Sequence, residues 1–249
     1  MAKIPVLEKS IRLLESLAGE NSYQSMTQLA KAHGISNTTC FRILKTLEAA
    51  NWVQARPKGG FMLAAGLLPL VHPLLKYQRL LEVTEPVMRQ LAQDAGLAVK
   101  LTVRSGSEAV TISRVESPRG IGVSGRVGAR FRLVIGSSGA CLLADATAEE
   151  IAQLIEDAPA DAWTHQGVEA FHHRLKDVKS KGYCADLGGY HPQVHAISAP
   201  IGNAPSAVLG ALTVLGLPSD FSGKATPRLG QLVKAAAEDC LNQISKRKA

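Results

Sequence analysis

The sequence predicts an α+β fold, in which a basic helical front end closed by a short hairpin precedes a larger domain of mixed strands and helices. Three observations carry this. Apolar residues recur at helical spacing through most of residues 6–95, and from Leu97 the period changes to that of strands. Positive charge gathers at the front: Lys3, Lys9, Arg12, Lys31, Arg42, Lys45, Arg56 and Lys58 face only Glu8, Glu15, Glu20 and Glu48 within residues 1–63. The rest of the chain is near neutral once Lys246, Arg247 and Lys248 are set aside. Finally, Ala30 and Gly34 stand four apart, at the junction of two short helical segments.

Residues 6–18 read as a helix with Leu7, Ile11, Leu14 and Ala18 in one stripe and Leu13 and Leu17 beside it. Residues 25–33 form a second helix with Ser25 as N-cap, and Gly34 terminates it. Ser36 caps a third helix that runs to about Ala50. Two short extended pieces, 51–54 and 61–63, flank the polar turn 56–60 and read as a hairpin. Residues 64–95 are mostly helical, divided by Pro69, Pro73 and Pro86. The domain bounds are therefore 1–63, a linker helix 64–80, and 81–249. In the last of these, strands are expected at 97–104, 108–115, 194–201 and 208–217, and helices at 138–146, 148–157, 168–181 and 227–246.

The front end has the parts of a winged helix-turn-helix. Such a motif needs a small residue where the second helix packs across the first, and a glycine in the tight turn. Ala30 and Gly34 meet both needs. The third helix buries Cys40, Ile43, Leu44 and Leu47. Its other face shows Asn37, Thr38, Thr39, Phe41, Arg42 and Lys45, whose donors match phosphates and base edges. Arg56 and Lys58 in the wing would meet backbone phosphate, and Ser25, Thr27 and Ser36 complete the candidate DNA contacts. The competing reading is a structural three-helix domain with a merely solvated polar face. The hairpin, the Ala30–Gly34 spacing and the charge surplus together favour double-stranded DNA.

With these residues in place, the chain resembles the IclR family of transcriptional regulators over nearly its whole length. The resemblance rests on Leu29–Ala30–Lys31, Gly34–Ile35–Ser36, Thr38–Thr39 and the run from Arg42 to Leu47. It continues at Gly182–Tyr183 with Asp186, and from Ile197 to Ile201. It implies a winged helix, a dimerising helical linker, and a GAF-like α/β effector-binding domain in a homodimer or homotetramer on palindromic operators. The effector pocket it implies uses the turn Gly136, Ser137, Ser138, Gly139 and Ala140, then Asp186 and the late-strand positions Thr213 and Leu215, with Gly120, Ile121 and Ala196 added here. Ala140 stands where the family commonly has lysine, Gly189 where it has an acidic residue and Ala196 where it has cysteine, so a less polar pocket is expected.

Two readings of that turn stay open. The N–H groups of residues 137–140 would hold a ligand carboxylate and Asp186 its hydroxyl or amine; or the serines cap a helix and Asp186 caps a turn. The effector is read as a small organic acid. Two rival classes remain: a regulator switched by a protein partner, and an enzyme with a helical accessory domain, for which no catalytic constellation is visible.

Other signals are weaker. The segment 120–125 matches G-x-G-x-x-G, but residues 116–119 separate it from the preceding strand and no helix follows, so no dinucleotide cofactor is expected. His191 and His195, or His172 and His173, lack metal-ligand spacing and a third ligand, so no metal is expected. Cys40, Cys141, Cys184 and Cys240 are far apart, the N-terminal residues lack an apolar leader, and the longest apolar stretch, 62–71, is too short to span a bilayer. A cytoplasmic protein without a membrane partner is expected.

Overall fold

Capping explains the first helices. In the computed structural model, which describes residues 4–19, 23–57, 59–74, 76–120, 122–123, 125–202 and 207–246, α1 (Pro5–Gly19) is followed by α2 (Met26–Ala32) and α3 (Asn37–Ala49). Ser25 and Gln28 form a reciprocal capping box at α2, and the Ser36 hydroxyl accepts the Thr39 N–H at α3. Between the two helices Gly34 takes φ +61°, a left-handed value that suits glycine. Strands β1 (Val53–Ala55) and β2 (Phe61–Leu63) form the antiparallel wing. Leu13, Leu17, Leu29, Ala30, Cys40, Ile43, Leu44 and Leu47 make the core. The expected stripe on α1 is displaced: Leu13 and Leu17 are buried, whereas Leu7 and Ile11 are each 55% exposed.

The linker is divided around Pro69 and Pro73, as the sequence suggests, and is not one helix over 64–80: two 3-10 turns (Ala65–Leu67 and His72–Leu74) flank the four-residue α4 (Leu68–Val71), and α5 then runs over Lys76–Ala95. Pro69 and Pro73, four residues apart, deny the short segment a continuous hydrogen-bond ladder. Pro86, expected to break the chain, lies inside α5. Leu80, Val83, Val87 and Leu91 on that helix are buried in the core. At about 1.5–3 kcal/mol per buried side chain, they outweigh the roughly 3 kcal/mol that an interior proline costs.

The chain divides into two compact units, Met1–Lys76 and Tyr77–Ala249. The second is built on an antiparallel six-stranded sheet in the order β5-β4-β3-β8-β7-β6. Its strands are β3 (Ala98–Ser105), β4 (Glu108–Val115), β5 (Arg130–Arg132), β6 (Cys184–His191), β7 (Val194–Ile201) and β8 (Gly210–Gly216). One face carries Val99, Leu101 and Val103, Ile197 and Ala199, and Leu212 and Val214 against α5 and α9 (Ala225–Lys246). Beyond the other face lie α6 (Gly136–Leu142), α7 (Ala148–Glu156) and α8 (Val168–Lys181), around Phe171, Leu133 and Cys141. Period-two alternation thus sends Lys100 and Thr102 of β3, Thr213 and Leu215 of β8, and Ala196 and Ser198 of β7 to this second face. No helix among the described residues is long and apolar enough to cross a membrane.

Candidate functional site

The outer face of α3 carries the side chains expected to read DNA. Asn37, Thr38, Phe41, Arg42 and Lys45 are exposed, and the Phe41 ring keeps 48% of its surface in solvent. Lys45 pairs with Glu48 at 2.7 Å and lies 5.9 Å from the Phe41 ring centre. Some of the predicted contacts already have structural work. Ser25 and Ser36 are N-caps, and the Thr39 hydroxyl accepts the Ser36 O–H at 2.9 Å. Thr27 is exposed on α2. In the wing Arg56 stacks 5.2 Å from the Tyr23 ring centre. Lys58 lies outside the described residues.

In the second unit, the helical side of the sheet encloses a cavity of about 320 Å³. Gly136, Ser137, Ser138, Asp186, Ala196, Thr213 and Leu215 line it, so the structure brings most of the predicted effector positions together. Gly139 and Ala140 do not line it. A Cβ at Gly139 would collide with the Leu133 carbonyl, so that glycine permits close packing of α6, and Ala140 is fully buried in the core behind it. Gly120 has open space around it and is not part of the wall, and Ile121 lies outside the described residues. The rest of the glycine-rich loop does contribute, through Val123, Gly125 and Arg126.

Two polar networks fix the wall. Ser137 on α6, Ser198 on β7 and Thr213 on β8 form a buried chain of hydroxyls with both O–O distances at 2.8 Å. The second network centres on Asp186, which is 3% exposed. Its oxygens accept the backbone N–H groups of Gly189 at 2.7 Å and Tyr190 at 3.0 Å, and Arg174 of α8 stands 3.9 Å away. Arg174 in turn donates to Gln166, which donates to the Val134 carbonyl at 2.9 Å, at the entrance to α6. Burial lowers the Arg174 pKa, and Asp186 opposes that shift. These contacts give Asp186 a turn-capping role, whereas α6 has Ile135 as its N-cap with no side-chain cap bond, so Ser137 and Ser138 do not cap it.

Sequence reasoning missed several wall residues: Lys100 above all, then Thr111, Phe131 and Tyr190. The Lys100 ammonium lies 4.4 Å from the Phe131 ring centre, and burial lowers its pKa to about 8. The Thr111 hydroxyl is buried with no hydrogen-bond partner. A signal for Lys100 existed: it is the one charged residue in the apolar run 97–103. Phe131 and Tyr190 stand on β5 and β6, two strands the hydrophobic pattern does not announce. The four cysteines are buried free thiols, with the Cys141 and Cys184 sulfurs 3.9 Å apart. Burial raises the Cys141 pKa far above that of an ordinary thiol, which suits packing rather than chemistry.

Comparison with known proteins agrees with this architecture. The IclR helix-turn-helix domain matches residues 6–57, and the family described as bacterial transcriptional regulator IclR, C-terminal, matches residues 72–242. The acetate operon repressor of Salmonella typhimurium is 24% identical over 95% of this chain and 89% of its own length. The repressor AllR of Escherichia coli is 25% identical over 94% of this chain and 88% of its own. Among solved structures, Thermotoga maritima IclR superposes with a TM-score of 0.72 at 17% identity, covering 97% of this chain and 99% of that one. An IclR homologue from Microbacterium hydrocarbonoxydans, complexed with 4-hydroxybenzoate, superposes with a TM-score of 0.71 at 20% identity, over 98% and 100%. The winged helix-turn-helix, the six-stranded second unit and the two family matches lead to one conclusion: this chain belongs to the IclR family, whose members are transcriptional regulators rather than enzymes.

Proposed function

We propose that this chain is a homo-oligomeric repressor that binds palindromic operator DNA and is controlled by a small organic acid held in the cavity of its second unit. The observation that carries the reading is the pairing, in one chain, of an exposed donor-rich recognition helix with a separate ligand-sized cavity. Asn37, Thr38, Phe41, Arg42 and Lys45 enter the major groove, while Arg56 meets phosphate. Ser137, Ser138, Ala196, Thr213 and Leu215 surround the effector. Its volume of about 320 Å³ sits at the small end of ligand pockets, which run from roughly 300 to 1,000 Å³. The names of the relatives, repressors of the acetate operon and AllR, support repression, and the 4-hydroxybenzoate in one structural neighbour supports a compact acid.

Association of copies has support in the first unit. Ile4, Leu7 and Ile11 line an exposed apolar strip on and just before α1, and Leu68, Leu70, Val71 and Leu74 are exposed in the linker. Two-fold pairing through such surfaces gives two half-sites related by the same symmetry. The effector acts only insofar as it binds one domain arrangement better than the other.

Selection from a random duplex pool at physiological salt, with wild type and Arg42→Ala in parallel, tests the reading. Enrichment of a palindrome by wild type, lost or relaxed in the variant, is expected. Weak binding that simply fades with salt, with no motif enriched, overturns it.

A further inference from the structure

We propose that Lys100 is the anion-reading residue of the cavity, and that the ligand is therefore a monocarboxylate with an apolar body. This deepens the effector reading above and rests on it.

The sheet register places Lys100 of β3 opposite Thr213 of β8, and Thr213 opposite Ser198 of β7. The lysine thus stands in a polar row on the cavity side of the sheet, between Thr213 and the exposed Arg114 of β4, while its neighbours Val99 and Leu101 point into the opposite core. Its ammonium has an aromatic neighbour, Phe131, and no carboxylate partner among the described residues. Among the described residues Asp186 is the one carboxylate on the cavity wall, and its oxygens already serve the N–H groups of Gly189 and Tyr190. A cation partly withdrawn from water without a counter-ion is unfavourable, and a bound carboxylate supplies that counter-ion.

Two further observations point to a ligand. The loop is shaped around the lysine: a Cβ at Gly125 would lie 2.9 Å from Lys100 Cδ, so glycine lets the chain close over the stem. On the same wall the buried Thr111 hydroxyl has no partner, and it offers a second donor to a carboxylate. The charge count sets the class. Arg126 is exposed at the rim, whereas Lys100 is the cation withdrawn into the cavity. One carboxylate matches it, and Val123, Ile135, Val194 and Leu215 offer apolar wall to the rest of the ligand.

The test is calorimetric titration of the full-length chain with benzoate, 4-hydroxybenzoate and cyclohexanecarboxylate, each beside its uncharged amide. Wild type is expected to bind at least one acid ten or more times more tightly than its amide. Lys100→Met is expected to bring acid and amide to the same affinity; Lys100→Gln repeats the measurement should the first variant fail to fold. Retention of the acid preference in the variant overturns the assignment of Lys100. Equal binding of acid and amide by wild type overturns the anion claim and leaves a ligand-responsive cavity standing. Binding of no member of the panel, acid or amide, overturns the inference together with the compact-acid reading beneath it.

Discussion

Asp186 accepts the Gly189 backbone N–H at 2.7 Å, so this carboxylate closes a turn within its own strand. Its other oxygen accepts the Tyr190 N–H, and Arg174 is its nearest counter-charge at 3.9 Å. Removing the carboxylate leaves two backbone donors without their acceptor and a buried guanidinium without its counter-charge. Asp186→Ala is therefore expected to cost roughly 2–4 kcal/mol of stability. Urea unfolding checks this. A variant of unchanged stability that loses only ligand affinity would make Asp186 a ligand contact instead.

Gly189 is a glycine for reasons of space. A Cβ there would stand 2.6 Å from Asp186 Oδ1 and 3.3 Å from both Arg174 Nη1 and Gln166 Oε1. Gly189→Ala is expected to destabilise by roughly 1–3 kcal/mol. The clash is with Asp186 itself, so the two substitutions should not add. In Asp186→Ala the further change Gly189→Ala should cost markedly less than in wild type, and a double-mutant cycle from urea midpoints reads the difference. Strict additivity would show that the collision is relieved elsewhere.

These two residues also show where sequence reasoning stops. The front end was legible almost residue by residue, because caps and turns are local: Ser25, Gly34 and Ser36 do what their types predict in sequence. Strands β3, β4, β7 and β8 were legible as short apolar-rich runs bounded by turn residues. Strand β6 was not, since Leu187, Gly188, Gly189 and Tyr190 interrupt its pairing with an irregular register. The positions of the cavity wall on α6, β7 and β8 were reached through the family resemblance. Lys100 and Phe131 were not, because their meeting depends on β5 pairing with β4 and β4 with β3, a tertiary fact that no local pattern encodes. The stripe on α1 failed for a related reason: periodicity locates an apolar face and does not say what covers it.

Lys100 makes stability depend on pH with a definite sign. Its folded pKa of about 8 lies below the ordinary lysine value of 10.5. Arg126, Asp186 and His191 share the cavity wall, and Arg114 stands opposite it on β4, so cations outnumber carboxylates around it. Between pH 8 and 10.5 the unfolded chain holds a proton that the folded chain has released, so this group makes stability rise through that window. Below pH 8 its penalty is fully present. Lys100→Met is therefore expected to stabilise the ligand-free protein at pH 7 by on the order of 1 kcal/mol, less than the full shift implies because the side chain is partly solvated. The gain should shrink towards pH 10. Thermal melts of both proteins at pH 7 and pH 10 read this, and a destabilised variant at pH 7 would mean that the stem packing outweighs the buried charge.

Phe41 gives the sharpest test of the recognition face. An aromatic ring 48% exposed contributes little to the core of the first unit, so Phe41→Ala should leave the melting temperature within a degree or two of wild type. Its neighbours one turn away, Asn37 and Lys45, are donors for bases and phosphate. The ring offers none, and the apolar group that the major groove displays is the thymine C5-methyl. In the selected operator, replacing a contacted thymine by deoxyuridine removes that methyl and keeps the hydrogen-bonding edge. The replacement is expected to weaken wild type by about 1 kcal/mol, near fivefold, and to leave the affinity of Phe41→Ala unchanged. If every thymine can be replaced with equal effect on both proteins, Phe41 does not read the groove, and the face presented to DNA must be turned towards Thr38 and Arg42.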